Sequence, residues 1–200
     1  MKVLGITGGV GSGKSTVLEY LEKQWGARLA LCDDIARQMQ EPGGICYDQM
    51  ISLFGPSCVR EDGSLDRPAI SAQFFAAPAL REKVSGFIYP AVTKELLRRI
   101  DEARAQGAAL FVIEAAVLFE SGCASICDEV WYVYADTEAR MVRLMRDRGY
   151  SEERARLIME AQHPDSFYRE RCSCVIDNSR EGIGKVHEEI DRALKEEGLV

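Results

Sequence analysis

Short runs of consecutive apolar residues alternate along the chain with segments whose apolar positions recur every three or four residues. This alternation predicts a parallel α/β sheet with helical crossovers. The first run, Lys2-Val3-Leu4-Gly5-Ile6-Thr7, predicts a strand at the N-terminus. A glycine-rich turn separates it from a helix predicted from about Ser15 to Trp25, where Val17, Leu18, Leu21 and Trp25 share one face. Gly26 suits a left-handed C-cap. A second strand is predicted over Ala27 to Cys32, ending in Asp33-Asp34. From Ile35 to about Pro90 the pattern is irregular and mostly helical. Glu41-Pro42-Gly43-Gly44, Phe54-Gly55-Pro56 and Glu61-Asp62-Gly63-Ser64 punctuate it as turns. A helical insert over about 35–90 that closes over the sheet is therefore expected. The next helix, Ala91 to about Gln106, carries Val92, Leu96, Ile100 and Ala103 on one face and stops at Gly107. A third strand, Ala109 to Ile113, ends at Glu114. The fourth, Glu129 to Ala135, is apolar enough to be buried on both faces. An arginine-rich helix begins near Thr137. The last strand, Cys174 to Ile176, precedes Asp177-Asn178 and an amphipathic helix from about Gly184.

With 200 residues, the chain predicts one domain with a real core. The 46% hydrophobic and 28% charged residues are those of a globular protein. The formal net charge of -7 argues against broad nucleic-acid binding, which needs a basic footprint, but leaves room for a small polyanion. No run approaches the roughly 20 apolar residues of a membrane span, and no signal-peptide cleavage pattern follows the first strand. The seven cysteines are odd in number and contain no Cys-x-x-Cys pair, and His163 and His187 are the only histidines. Buried thiols in a reducing cytoplasm are expected, rather than a disulfide set or a zinc site.

Between the first strand and the first helix, Gly8-Gly9-Val10-Gly11-Ser12-Gly13-Lys14-Ser15 satisfies G-x-x-x-x-G-K-[ST], the phosphate-binding loop. Its glycines let backbone amides approach a phosphate closely. Those amides converge at the positive end of the following helix. Lys14 supplies a point charge for the β- and γ-phosphates of ATP, and Ser15 a hydroxyl for Mg²⁺. Gly11, Ser12, Gly13, Lys14, Ser15 and Thr16 are thus the expected nucleotide-binding residues. The fold expected is a three-layer α/β/α P-loop domain with a five-stranded parallel sheet.

The loop alone leaves kinases, GTPases and ATPase motors open. Asn178 is the only asparagine, so an Asn-Lys-x-Asp guanine motif is excluded, and no D-x-x-G switch occurs. A small-molecule kinase fits the chain length best. Such a kinase needs a carboxylate for the acceptor hydroxyl. Asp33, at the carboxyl end of a strand, is placed for it, and equally for capping a helix that starts at Ile35. It also needs positive charge for the transferred group. Arg140, Arg143 and Arg146 recur at intervals of three, and Arg148, Arg154 and Arg156 follow. These are either phosphate contacts from a lid over about 137–165 or a solvated helix face. Glu114 is either an acid beside Mg²⁺ or an ordinary strand-end charge.

The ordered series of motifs resembles the dephospho-coenzyme A kinase family from Val3 to Asn178. The series comprises Gly5-Ile6-Thr7-Gly8-Gly9-Val10-Gly11-Ser12-Gly13-Lys14-Ser15-Thr16, Asp33-Asp34-Ile35-Ala36-Arg37, Glu41-Pro42-Gly43 and Phe54-Gly55. It continues with Asp62-Gly63-Ser64-Leu65-Asp66-Arg67, Glu114-Ala115-Ala116-Val117-Leu118-Phe119-Glu120 and Val175-Ile176-Asp177-Asn178. Three positions depart from the family pattern: Leu31 replaces the first acid of an Asp-x-Asp, Tyr89 the histidine of a His-Pro, and Ala116 a proline. The resemblance implies transfer of the γ-phosphoryl of ATP to the 3′-hydroxyl of dephospho-coenzyme A. It makes Lys14, Asp33 and Arg143 the catalytic residues, with Arg140 and Arg148 closing on the phosphates. Asn178 would meet the nucleotide base. Arg67 would meet an acceptor phosphate or pair with Asp66. The expected protein is cytoplasmic, a monomer or weak homo-oligomer, with no nucleic-acid or membrane partner. The alternatives are another small-molecule or nucleoside monophosphate kinase and a nucleotide-switched assembly protein.

Overall fold

The computed structural model describes residues 1–179 and 183–199, the side chains of Phe75 and Ile183 excepted. The elements run β1 (Lys2–Thr7), α1 (Lys14–Trp25), β2 (Arg28–Leu31), α2 (Cys32–Met39), α3 (Tyr47–Phe54), α4 (Arg67–Ala76) and α5 (Pro78–Ala105). They continue as β3 (Leu110–Glu114), β4 (Glu129–Tyr134), α6 (Thr137–Arg148), α7 (Glu152–Glu160), α8 (Asp165–Arg169), β5 (Cys174–Asp177) and α9 (Ile183–Glu196). Two compact units result: Met1–Ala30 with the chain from Ile100 onward, and Leu31–Arg99. No described helix is long and apolar enough to cross a membrane.

The first unit is built on a five-stranded sheet in the order β2-β3-β1-β4-β5, with β1 parallel to both β3 and β4, and β4 parallel to β5. Successive residues of β1, β3 and β4 are buried on both faces, so helices must cover both, giving the three layers expected of a P-loop domain. Asp128 accepts a 2.7 Å bond from the Val3 amide at the edge where β1 enters the sheet. Gly5 is obligatory at the centre of β1, because a Cβ there would lie 2.8 Å from Leu118 Cδ2. Helices α1 and α9 are tied by Asp191, which accepts from Tyr20 Oη at 2.9 Å and from Trp25 Nε1 at 2.9 Å. Trp25 is therefore half-buried and polar-anchored rather than simply apolar.

The second unit is helical. Its core includes Ile35, Met50, Phe54, Leu65, Ile70, Val84, Ile88, Val92 and Leu96. Two expectations are corrected here. The helix after β2 begins at Cys32, not Ile35, and its N-cap is Leu31 with no side-chain cap bond. Cys32 and Ile35 are both buried and stand three residues apart, so Cys32 belongs to a helical stripe rather than to the strand. Asp33 and Asp34 thus sit in the first turn, where negative charge suits the helix dipole. The second correction concerns Pro90, which does not open a new helix: α5 runs unbroken for 28 residues. The proline removes one backbone donor. Val84, Ile88, Val92 and Leu96 form one buried stripe at spacing four on either side of it. Burial of each is worth roughly 1.5–3 kcal/mol, which outweighs the lost bond.

Candidate active site

Thr7, fully buried, ends β1, and the chain turns through Gly8–Gly13 into α1. Gly13 caps α1 in the left-handed region at φ 85°, and a Cβ there would run into Asn178 Nδ2. Lys14 Nζ donates to the Gly8 carbonyl at 2.9 Å and lies 3.5 Å from Glu114 Oε1, both side chains about 15% exposed. The ammonium is thereby held over the loop rather than in solvent. Glu114 answers to the strand-end acid of the sequence, now paired with the loop lysine. Ser15 is exposed in the first turn of α1.

The loop carbonyls are bound from outside. Arg143 Nη1 donates to Gly11 O at 3.3 Å and Ser12 O at 3.2 Å, while its Nη2 donates to Asn178 O at 2.6 Å. Asn178, buried at the end of β5, donates from Nδ2 to Ser12 O at 2.9 Å. Arg140 Nε donates to Val10 O at 2.8 Å. In a trans peptide the C=O of one residue and the N–H of the next point in opposite directions. Holding Val10 O and Ser12 O outward therefore aims the amides of Gly11 and Gly13 to the other side of the loop. That is how a chain builds a concave set of donors for an anion.

The arginines of α6 do not share one environment. Arg140 and Arg143 face the loop. Arg146 pairs with Asp147 at 2.6 Å and is exposed. The reason is geometric: six residues on an α-helix return about 120° away from the starting face. Arg148 is exposed and makes no hydrogen bond or ion pair among the described residues. Arg154 stacks on Tyr150 at 4.3 Å, and Arg156 pairs with Glu152 at 2.8 Å. Burial pulls Arg140 below its ordinary pKa, opposed by Tyr132, Tyr168 and Tyr134; a guanidinium remains charged regardless.

Beside Gly9 lies a cavity of about 590 Å³, lined by Tyr132, Tyr134, Arg140, His163 and Tyr168 among others. Tyr132 and Tyr168 stack at 4.7 Å. Burial, and then Asp165, push the Tyr132 hydroxyl well above its ordinary range, so it stays protonated. His163 stacks on Phe167 at 3.9 Å, with its Nε2 2.9 Å from Glu120 Oε1.

In the second unit, Asp33 and Asp34 are exposed and make no hydrogen bond or ion pair among the described residues. Asp33 is not the helix cap. Arg67 does not pair with Asp66: it bonds Glu41 at 2.8 Å, while Asp66 caps α4 by accepting from Ala69 N at 3.1 Å. The seven cysteines are thiols. Burial pushes Cys127 and Cys172 up to about 12 and Cys174 up to about 11, which leaves them without thiolate character at neutral pH.

Sequence reasoning missed Gln162, whose Oε1 accepts from Val10 N at 3.0 Å and from Arg140 Nη2 at 2.6 Å. A single glutamine between two helices carries no periodicity or spacing that could have marked it. For a divalent ion, the Ser15 hydroxyl and Glu114 carboxylate are hard oxygen donors of the kind Mg²⁺ takes. No group of three or more His, Cys, Asp or Glu able to hold a metal occurs among the described residues.

A parallel sheet whose first strand feeds this loop and a helix opening at Lys14-Ser15 defines a P-loop nucleotide-binding protein. The family model for dephospho-CoA kinase matches residues 2–183. The chain belongs to that family. A dephospho-CoA kinase from Symbiobacterium thermophilum is 35% identical over 195 residues, 98% of this chain and 81% of the relative. A crystal structure of a Thermus thermophilus protein superposes with TM-score 0.85 at 29% identity, covering 98% of this chain and 97% of that one. The dephospho-CoA kinase of Campylobacter jejuni shares the fold, with TM-score 0.62 at 17% identity and coverage of 98% and 97%.

Proposed function

We propose that the protein moves the γ-phosphoryl of ATP to the 3′-hydroxyl of the ribose of dephospho-coenzyme A, giving coenzyme A and ADP. One observation carries this reading: the family match over residues 2–183 runs through the loop, through Asp33 and on to Asn178. The triphosphate lies against the loop residues Gly11 to Thr16, with Lys14 Nζ against its β- and γ-oxygens. Ser15, with Glu114 alongside, would hold Mg²⁺, which would supply charge neutralisation for the transferred group. Asp33 orients the acceptor hydroxyl and takes its proton as the oxygen attacks phosphorus and the bond to the leaving ADP oxygen breaks.

Arg143 acts at the cradle, where it already bonds the carbonyls of Gly11 and Ser12. Arg148 comes to the phosphates as the segment of about 137–165 closes as a lid and excludes water, a competing acceptor. Asn178 stands against the nucleotide base. The helical insert of about 35–90 receives the acceptor. The enzyme works in the cytoplasm as a monomer or weak homo-oligomer.

The test is ADP release with ATP, Mg²⁺ and dephospho-coenzyme A, with mass detection of the product. A parallel panel contains nucleoside monophosphates and other hydroxyl compounds. Acceleration by dephospho-coenzyme A with a product heavier by one phosphoryl group is expected. Release that no small acceptor stimulates, or that a different acceptor stimulates more, would overturn the proposal.

A further inference from the structure

We infer that Gln162 is a positioning residue for the nucleotide's phosphates, acting through Arg140 and the peptides on either side of Val10. The inference rests on the proposed ATP site and adds a residue to it. Three bonds close a ring. Val10 N–H donates to Gln162 Oε1 at 3.0 Å, Arg140 Nη2 donates to the same oxygen at 2.6 Å, and Arg140 Nε donates to Val10 O at 2.8 Å. Both polar groups of Val10 are thus held from outside the loop. A flip of the Val10–Gly11 peptide would break the Arg140 bond. With Val10 O held, the Gly11 amide faces the cradle.

Gln162 adds a second anchor for Arg140. Its guanidinium is long and half-buried, and the oxygen that fixes its far end is that of Gln162. The ring closes tightly on Gly9: a Cβ there would lie 2.5 Å from Arg140 Nη2 and 3.0 Å from Gln162 Oε1, so a larger residue would displace both side chains. Gln162 follows α7, while Arg140 lies on α6 and Val10 in the loop. The carboxamide therefore joins the proposed lid segment to the phosphate cradle.

Gln162→Met keeps the length of the side chain and removes the acceptor; Gln162→Glu keeps an oxygen for both donors. Hydrogen exchange of the Val10 amide, read without nucleotide, should speed up about 10-fold or more in Gln162→Met and stay near wild type in Gln162→Glu. The affinity of Gln162→Met for ATP should fall roughly 10-fold, as expected for a lost bond to a charged group. Its KM for dephospho-coenzyme A should be unchanged. Unaltered Val10 exchange in Gln162→Met overturns the inference whatever the protein binds. So does an equal loss for both substrates, or exchange in Gln162→Glu as fast as in Gln162→Met. A wild-type protein that fails to bind ATP refutes the proposed function, and with it the phosphate-positioning role, while the exchange result still decides whether Gln162 holds the loop.

Discussion

The phosphate loop of the sheet unit and the surface of the helical unit handle polar groups in opposite ways. In the sheet unit the carbonyls of Gly8, Val10, Gly11 and Ser12 are each met by a cationic side chain, Lys14, Arg140 or Arg143. The bonds to Val10 O and Ser12 O set the directions of the Gly11 and Gly13 amides from the far side of the peptide. In the helical unit the charged groups bond one another along the surface, as Arg67 does with Glu41 and Arg98 with Glu95. Asp33 lies in the first turn of α2 and makes no hydrogen bond or ion pair among the described residues. The difference teaches that the donor half of the proposed reaction is electrostatically preorganised. Asp33, proposed for the acceptor half, is not held in that way.

Removing the cationic side of that contrast should have the largest effect. Lys14→Ala is expected to lower transfer by about 10³-fold or more, with far-UV circular dichroism unchanged. Turnover within about 10-fold of wild type would show that the loop does not need its ammonium. Asp33→Asn should come next, at about 10²-fold in kcat with ATP affinity preserved. Normal turnover by the purified variant would remove Asp33 from its role. Asn178→Ala deletes a bond to Ser12 O while leaving the Arg143 bonds in place. Roughly 10-fold weaker ATP binding by calorimetry is expected, at the upper end for a single neutral hydrogen bond.

The smallest effect belongs to the helical unit. Arg98, and after it Arg99, hold the Glu95 carboxyl well below its usual value of 4.5, at about 2, against the opposing push of burial. A folded-state pKa below the unfolded one stabilises in full above about pH 4.5, and that contribution is lost as pH falls toward 2. Arg98 is about half exposed, so the contribution is on the order of 1 kcal/mol. Glu95→Gln should lower the Tm by a few degrees at pH 7 and leave it unchanged near pH 2.

Legibility in the sequence followed the same division. Strands β1, β3 and β4 were readable because burial on both faces leaves an unbroken apolar run. The loop was readable because its chemistry demands particular residues at particular intervals. The helical unit was harder. Pro90 and the Asp33-Asp34 pair are local signals for a break and a cap, and long-range burial of Cys32, Ile88 and Val92 overrode both. Arg146 was grouped with Arg140 and Arg143 because spacing by three was extended past the point where a helix turns it away.

From the chain alone came the strand–loop–helix, the glycines that admit φ values such as 85° at Gly13, the lysine and the family. The first three are local properties, decided by residues within a few positions of one another, and the family was legible from an ordered series of such local motifs between Val3 and Asn178. The tertiary structure alone decided which side chains grip the loop from behind. Arg143 reaches it across 132 residues, Gln162 across 152 and Asn178 across 166. A peptide's direction depends on whatever bonds its oxygen, and only the closed fold brings those partners to it.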